Sequence, residues 1–469
     1  MFKQSLEDRI RTLEESMLMG SPSSGFDVTV SGFVHGGFVV QDIDALPNAE
    51  HCLPLLTDGE PTPNYITPDA GSPNNPPNTC VDGAADAVDH EIGWVQSDGT
   101  GGLGTGNPTN YASNDIRMGS SEIHFTATTQ LDNGIEVGGR VELEGFTQGD
   151  QIDETYIWME GGFGRLQAGA ENGASYLMHY SPPWIAGVNG VDSPNYRYAV
   201  VTAARTNTQT LISSDANKIT YFTPRFSGFQ FGISYAPHNA DRNGAQNGFG
   251  GQPNDESVEQ IVSAGVNFSR DFGEVSLGAS AGWESGTATD KFTNDEGREP
   301  GLLTVTKDPV NWHIGGQVSM YGFTLGGSYY RAEGFYGTSG NDSTFTDPLP
   351  AANGRIHDLS DDLEQTAWAV GGHYAVGPWG GGVAYFRSSA EGLPPLLMDD
   401  PNRARLFLPR GAGIPTRSEV ETQVVEAALS YEAAPGVTFT GDVNFYEDKD
   451  GFGNAVEAVG GGILMGVSF

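Results

Sequence analysis

The segment from residue 463 to the end of the chain constrains the fold most, because its side chains alternate in character up to the last residue. The apolar positions are Ile463, Met465, Val467 and Phe469. In a β-strand this spacing places all four side chains on one face. A chain end is usually frayed and polar, so an apolar face that reaches the last residue predicts a strand that closes a barrel against lipid.

Seven pairs of alternating segments joined by tight turns precede this strand. IHFTATTQL, the turn DNG and IEVGGRVELEGF form the first pair, and VVEAALSY, the turn EAAPG and VTFTGDVNFY form the last. With the first segment, DVTVSGFVHGGFVV, and the closing strand, the total is sixteen. An even number of antiparallel strands is typical of bacterial outer-membrane barrels. The sequence therefore predicts an all-β fold, a 16-stranded antiparallel transmembrane β-barrel over residues 26–469.

The two faces of these strands differ in polarity, as a barrel with a wet interior requires. Arg140, Glu142 and Glu144 alternate with valine, leucine and glycine, so we expect them in the lumen, and we expect the same of Arg165 and Lys218. Aromatic residues near strand ends suit two interfacial girdles. These are Trp158, Phe163, Tyr221, Phe229, Tyr235, Trp283, Trp312, Trp368, Trp379 and Tyr431.

The connections alternate in length, with short turns at one end of the strands and long polar loops at the other. The longest loops span residues 42–115 and 172–216. Outer-membrane barrels have short periplasmic turns and long outer loops. Both chain ends fall on the short-turn side, so we expect the N-terminal segment to lie in the periplasm.

The net charge is −37, from 60 acidic and 23 basic residues. A nucleic-acid partner would require a basic footprint, so this balance argues against one and favours the attraction of cations. We find no apolar run long enough for a transmembrane helix. The chain begins MFKQSLEDRI without a visible signal peptide, which we interpret as a mature or re-engineered form.

Residues 1–19 carry a helical pattern instead of an alternating one. The seam positions of a short coiled coil are Leu6, Ile10, Leu13 and Met17. RIRTLE resembles a motif of trimeric coiled coils, and about two and a half heptads are too few to associate alone. The alternative is an amphipathic helix packed on its own chain. Residues 20–25, GSPSSG, are expected to form a flexible linker.

The first long loop is acidic and contains both cysteines. Its densest cluster is Asp82, Asp86, Asp89 and Glu91, whose hard oxygen ligands suit Ca²⁺, although the spacing matches no defined calcium loop and a solvated acidic face remains the alternative. No other cofactor is expected. Cys52 and Cys80 are the only cysteines. In an exported protein they predict one disulfide that closes this loop, and two free thiols are the alternative.

The segments YIWMEGGFGRLQAGAENG and NKITYFTPRFSGFQFGISYAP resemble Gram-negative general porins, in particular those of the alphaproteobacterial type. The resemblance extends over residues 26–469 and implies a homotrimer in the outer membrane, in contact with lipid and lipopolysaccharide. It also implies passive diffusion of small hydrophilic solutes. The coiled-coil segment is not part of the usual porin pattern.

The resemblance further implies that residues 172–216 fold into the barrel and narrow it. Candidate constriction residues are Glu171, Asp192, Arg197, Arg205 and Asp215. Carboxylates facing basic groups across a narrow pore would create a transverse field that orients dipolar solutes. The sequence departs from the family here, because Ala170 and Glu171 occupy the place where many porins carry an arginine.

We therefore expect a water-filled channel with a preference for cations. A substrate-specific channel and a structural or adhesive anchor are the alternatives. An enzyme is not expected, because the sequence shows no GxSxG or other nucleophile spacing.

Overall fold

The computed structural model describes residues 25–44, 111–145, 152–187, 190–193, 207–239, 258–288, 308–333, 364–392, 418–449 and 455–469, with six two-residue strands between residues 56 and 104. Several predictions fall outside these residues and are not tested by the structure. They are the coiled-coil seam (Leu6, Ile10, Leu13, Met17), the acidic cluster (Asp82, Asp86, Asp89, Glu91), Arg197 and Arg205, and the side chains of Cys52 and Cys80.

Sixteen antiparallel strands form one closed barrel, which confirms the predicted fold class and strand number. The strands are β1 Asp27–Asp44, β2 Tyr111–Gln130, β3 Glu136–Glu144, β4 Ile152–Gly161, β5 Gly164–Ala170, β6 Asn217–Phe222, β7 Phe229–His238, β8 Val258–Phe272, β9 Val275–Ala288, β10 Val310–Met320, β11 Phe323–Glu333, β12 Glu364–Val376, β13 Trp379–Gly392, β14 Ser418–Ala434, β15 Val437–Lys449 and β16 Ala455–Ser468. Each strand pairs with its neighbours in sequence, and β1 pairs with β16.

The last residues of the chain complete the barrel. Strand β16 pairs with β1 in a register that places Ile463 opposite Phe38. The seam extends to the final residue, because the Gly32 amide donates to the Phe469 carbonyl at 2.9 Å and the Phe469 amide donates to the Gly32 carbonyl at 3.0 Å. Ile463, Met465 and Phe469 are exposed on the outer face, whereas Leu464 between them is buried on the inner one.

The outer surface of the barrel is apolar, as a lipid-facing wall requires. Its large exposed side chains include Ile157, Ile219, Val383, Leu429 and Ile463. On β15, Val443 and Phe445 point outward while Asn444 and Tyr446 are buried inside. The predicted alternation of the strand faces is therefore present in the structure.

Aromatic side chains pair at both ends of the outer wall. Near the short turns, Trp379 and Tyr431 have ring centroids 4.6 Å apart, and Phe323 and Tyr374 are 4.2 Å apart. Near the opposite strand ends, Trp312 contacts Tyr329 at 5.4 Å and Trp368 contacts Tyr385 at 4.9 Å. These two levels match the positions of interfacial girdles.

Trp158 does not belong to the outer girdle in which the sequence placed it. It lies on the same inward face of β4 as Tyr156 and is only 7% exposed. Its ring covers Gly138 of β3, and the Arg165 guanidinium lies 4.5 Å from the ring centroid. The girdle prediction failed here because an aromatic ring near a strand end fits either face when the residue opposite it is glycine.

The first long loop contains three small antiparallel pairs. Leu56–Thr57 pairs with Glu60–Pro61, Thr67–Pro68 with Cys80–Val81, and Gln96–Ser97 with Leu103–Gly104. Among the described residues, no helix combines the length and the apolar character that a membrane-spanning helix needs.

Candidate functional site

The segment between β5 and β6 folds into the barrel lumen at the place where the strands of the wall are shortest. Strands β5 and β6 have only 7 and 6 residues, whereas β8 has 15. The described part of the connection, residues 171–187, 190–193 and 207–216, is called the inner loop here. It begins with a short helix, α1 (Ala174–Leu177), which packs against the inner faces of β6 to β9.

Backbone amides of the outgoing half of the inner loop bond to serines of the wall, one strand after another. The Ala174 amide donates to Ser234 Oγ on β7 at 2.8 Å, and the Ser175 amide donates to Ser263 Oγ on β8 at 3.0 Å. The Tyr180 amide then donates to Ser280 Oγ on β9 at 2.8 Å. Because buried amides need acceptors, this row of serines fixes the course of the loop around the wall.

Glycines on the same inner faces allow the loop to lie directly on the strands. A Cβ atom at any of them would meet a loop atom within 3.4 Å. They are Gly232, Gly265, Gly278, Gly282, Gly315, Gly326, Gly371 and Gly382, and the loop residues above them run from Ala174 to Ile185. Small residues on β7 to β13 therefore provide the space in which the loop packs.

At its far end the inner loop reaches β14 and turns back. The Val191 amide donates to Glu426 Oε2 at 3.1 Å. Asp192, which is 0% exposed, has a φ of 66°. Its carboxylate accepts from the Thr208 amide at 2.7 Å, from the Thr208 hydroxyl at 2.9 Å and from Ser328 Oγ on β11 at 3.0 Å. Asp192 thus joins the two halves of the loop to the wall.

A second buried carboxylate, Glu284 on β9, holds the returning half. It is 1% exposed and accepts from the Ile212 amide at 2.8 Å and from the amide and hydroxyl of Ser213 at 3.0 and 2.5 Å. Between the two halves, His313 of β10 bonds to Ser175 Oγ at 3.0 Å, and its Nδ1 lies 2.7 Å from Nδ1 of His179. All these contacts make the loop part of the packed interior.

The wall of β2 to β5 bears charged side chains that do not contact the inner loop in this way. Arg140 of β3 pairs with Glu142 at 2.5 Å and donates to His124 Nδ1 at 2.7 Å. The other nitrogen of His124 lies 3.0 Å from Glu122 and 3.3 Å from Glu142. Here, lumen-facing side chains bond to one another and keep part of their surface accessible.

Further acidic side chains gather at the root of the inner loop. Asp215 lies beside Asp153 and Glu154 of β4, and Glu171 follows the last residue of β5. Burial raises the pKa of the Glu171 carboxyl to about 7, although the Asn172 amide donates to it at 2.8 Å. The Lys218 amine bonds to the backbone carbonyls of Glu171, Ser214 and Ala216.

The structure places the predicted site residues in two different environments. Arg140, Glu142, Glu144 and Arg165 lie on the inner face of the charged wall. Glu171, Asp192, Asp215 and Lys218 are instead buried, in contacts that hold the inner loop. The sequence predicted that carboxylates of the pore-facing loop would contact the solute. In the structure these carboxylates contact backbone amides or one another.

Sequence reasoning missed Glu284, Glu426 and the His179–His313 pair. A signal for this side of the barrel is present in the sequence. The segment LGASAGW, for example, places Gly278, Ser280 and Gly282 at every second position. A strand face of small residues cannot fill a lumen, so it predicts that another segment covers it.

A protein-family model and one solved structure agree with this architecture. A family model described as Gram-negative porin matches residues 81–451. The outer membrane channel DcaP of Acinetobacter baumannii aligns with a TM-score of 0.50 at 13% identity, covering 96% of this chain and 99% of that chain. The anion-selective porin from Comamonas acidovorans aligns with a TM-score of 0.47 at 13% identity, covering 95% and 100%. The trimer form of OmpT from Vibrio cholerae gives 0.45 at 12%, covering 95% and 100%. No curated protein sequence matches.

Proposed function

Because this chain belongs to the Gram-negative porin family and forms an outer-membrane barrel for passive diffusion, we propose that its pore is narrowed by the inner loop and prefers cations. The observation that carries the proposal is the inner loop itself. It follows the wall from β6 to β14 and is bonded to it at each end, so it reduces the free cross-section of the lumen.

The cation preference rests on the charges of the wall that the loop leaves uncovered. The described lumen-side carboxylates there are Glu122, Glu142, Glu144 and Asp442, whereas the arginines are Arg140 and Arg165. An excess of one sign along a pore raises the local concentration of the opposite ion. The net charge of −37 for the whole chain acts in the same direction.

Single-channel recording across a salt gradient tests this proposal. We expect stable open channels and a reversal potential of the sign that cation flow produces. A reversal potential of the opposite sign would reject the cation preference and leave the pore intact. Conductance that saturates with one added solute would favour a substrate-specific channel, and a near-absence of conductance would favour an anchor.

We further propose a homotrimer with residues 1–19 in the periplasm. The family resemblance supports the trimer, and the predicted seam of Leu6, Ile10, Leu13 and Met17 would join three helices below the barrels. The mass of the detergent-solubilised protein, measured by light scattering, should correspond to three chains of 49.7 kDa. Deletion of residues 1–19 should leave that mass ratio unchanged, since so short a helix does not associate alone.

A further inference from the structure

One histidine of the charged wall has carboxylates at one ring nitrogen and an arginine at the other. His124 of β2 is paired with Glu142 of β3 on the inner face of the wall. Its Nε2 atom lies 3.0 Å from Glu122 Oε2 and 3.3 Å from Glu142 Oε2. Its Nδ1 atom lies 2.7 Å from Nη2 of Arg140. The two nitrogens of one ring therefore contact groups of opposite charge.

These contacts determine where the hydrogen of the imidazole lies. A guanidinium only donates hydrogen bonds, so His124 Nδ1 accepts from Arg140 and carries no hydrogen. A neutral imidazole has one N–H group, which is then on Nε2 and donates to Glu122. The contact between His124 and Arg140 is thus compatible only with an uncharged histidine.

A proton added to the ring breaks the contact with the arginine. The new hydrogen lies on Nδ1 of His124 and points at an N–H group of Arg140, so two donors and two positive charges face each other at 2.7 Å. The carboxylates at Nε2 attract the charged ring, so Arg140 is the group that moves. Its side chain is 30% exposed, and its Nε atom, 2.5 Å from Glu142 Oε1, keeps the ion pair while the end of the guanidinium turns toward the lumen.

Among the described residues, Arg140 is the only polar group at His124 Nδ1. On the β1 side the ring of Phe33 lies against His124, with ring centroids 6.3 Å apart. Histidine is the side chain whose charge ordinarily changes between pH 5 and 8. The nearby His35 bonds to the Ser120 carbonyl and contacts no described charged side chain, so a proton on it displaces none. The other titratable side chains around His124 are Glu144 of β3 and Tyr156 of β4.

We infer that His124 determines the specificity of the pore, because a proton on its ring releases Arg140 toward the lumen and lowers the preference for cations. The inference deepens the proposed cation-preferring channel and rests on it. With a neutral imidazole, the group of Glu122, His124, Arg140 and Glu142 carries one net negative charge, and with a protonated imidazole it carries none. Acid therefore removes negative charge from the wall before ordinary carboxylates are protonated.

Reversal potentials of single channels across a KCl gradient, at low salt and with a chelator present, test the inference at about pH 8 and about pH 5.5. The cation-to-anion permeability ratio of the wild type should fall by up to about fivefold in acid, the factor for a unit charge at about 4 Å in water. His124→Gln should lose most of this change, because the amide still accepts from Arg140 and binds no proton. His35→Gln is the matched control on the same wall and should retain most of it.

An unchanged ratio in the wild type, a full response in His124→Gln, or equal losses in both variants would overturn the inference. Burial raises the pKa of the Glu171 carboxyl to about 7, so this group also changes charge between the two pH values. It does so equally in all three proteins, and only the differences between them count. A wild type that prefers anions at about pH 8 but shows the same response through His124 would reject the proposed cation preference and leave this inference intact.

The coupling between the two side chains gives a second readout, which also serves if His124→Gln does not fold. In Arg140→Ala no cation opposes a hydrogen on His124 Nδ1. The midpoint of the pH response should therefore move to higher pH, by up to about one pH unit. An unchanged midpoint would show that the histidine and the arginine act independently, which contradicts the inference.

Discussion

The two halves of the lumen wall are built from different residues, although they belong to one continuous sheet. From β7 to β13, the inward positions are mostly glycine, serine and alanine, and the inner loop covers them. From β2 to β5, they include Arg140, Glu142, Trp158 and Arg165, and side chains bond across the wall. One half positions the loop, and the other presents charge to the pore.

This difference separates two roles that carboxylates play in the same lumen. Glu284 and Asp192 accept from buried amides and hydroxyls of the loop, so their charge is satisfied inside the protein. Glu142 instead pairs with Arg140, a neighbour on the wall itself. Substitutions on the covered half should therefore change stability and loop position, whereas those on the charged half should change ion selectivity.

The largest effect is expected for Gly315→Val on the covered half. A Cβ atom at residue 315 would overlap the Tyr180 carbonyl oxygen and lie 3.3 Å from the His179 ring. Because the loop backbone cannot move without breaking its bonds, we expect a loss of about 1–3 kcal/mol in the free energy of unfolding and a changed single-channel conductance. Gly139→Val is the control, since its nearest contact is Ile157 Cγ2 at 3.6 Å. Equal losses in both variants would contradict the packing role of these glycines.

A smaller loss is expected for Asp192→Asn. Asparagine tolerates the positive φ of this residue, so the substitution tests the charge and not the backbone. One of the two acceptor oxygens becomes a donor facing Thr208 or Ser328, which should cost about 1–2 kcal/mol. Urea unfolding measures the loss. Asp132→Asn, in the exposed turn between β2 and β3, removes the same charge away from the inner loop and should leave stability nearly unchanged. A comparable loss in that variant would contradict the role assigned to Asp192.

The smallest free-energy effect is expected on the charged wall. Arg140→Ala leaves Glu142 without its basic neighbour, so the channel should become more cation-selective. A unit charge at about 4 Å in water is worth roughly 1 kcal/mol, or up to about fivefold in the permeability ratio at low salt. The reversal potential measures this change in selectivity, and the change should become small near 1 M salt because salt screens the charge. Arg331→Ala, on the outward face of β11, should not shift selectivity.

The barrel could be predicted from the sequence because its signals are local. Alternation and turn residues determine each hairpin, and every predicted pair from IHFTATTQL to VTFTGDVNFY is present. The alternation also predicted which face of each strand points inward, except at Trp158. Its direction depends on the space that Gly138 leaves on the neighbouring strand, and a single segment does not contain that information.

The interior arrangement could be predicted only in part. Arg140 and Glu142 lie where alternation placed them. Asp192 was expected to line the narrowest part of the pore, and its burial against Thr208 and Ser328 depends on three segments far apart in the chain. The acidic group at the root of the inner loop depends on a bulge, which shifts one residue against the alternation on which the prediction relied.

The paired amides and carbonyls of Gly32 and Phe469 have a consequence for how the protein is assembled. They join residues that are almost a full chain length apart, and contacts of such sequence separation form slowly because long-range loop entropy must first be lost. Until they form, β1 and β16 each expose an unpaired edge that can template aggregation. The nascent barrel is thus most vulnerable just before its final ring of hydrogen bonds is complete, so factors that shield these two edges would raise the yield of folded protein.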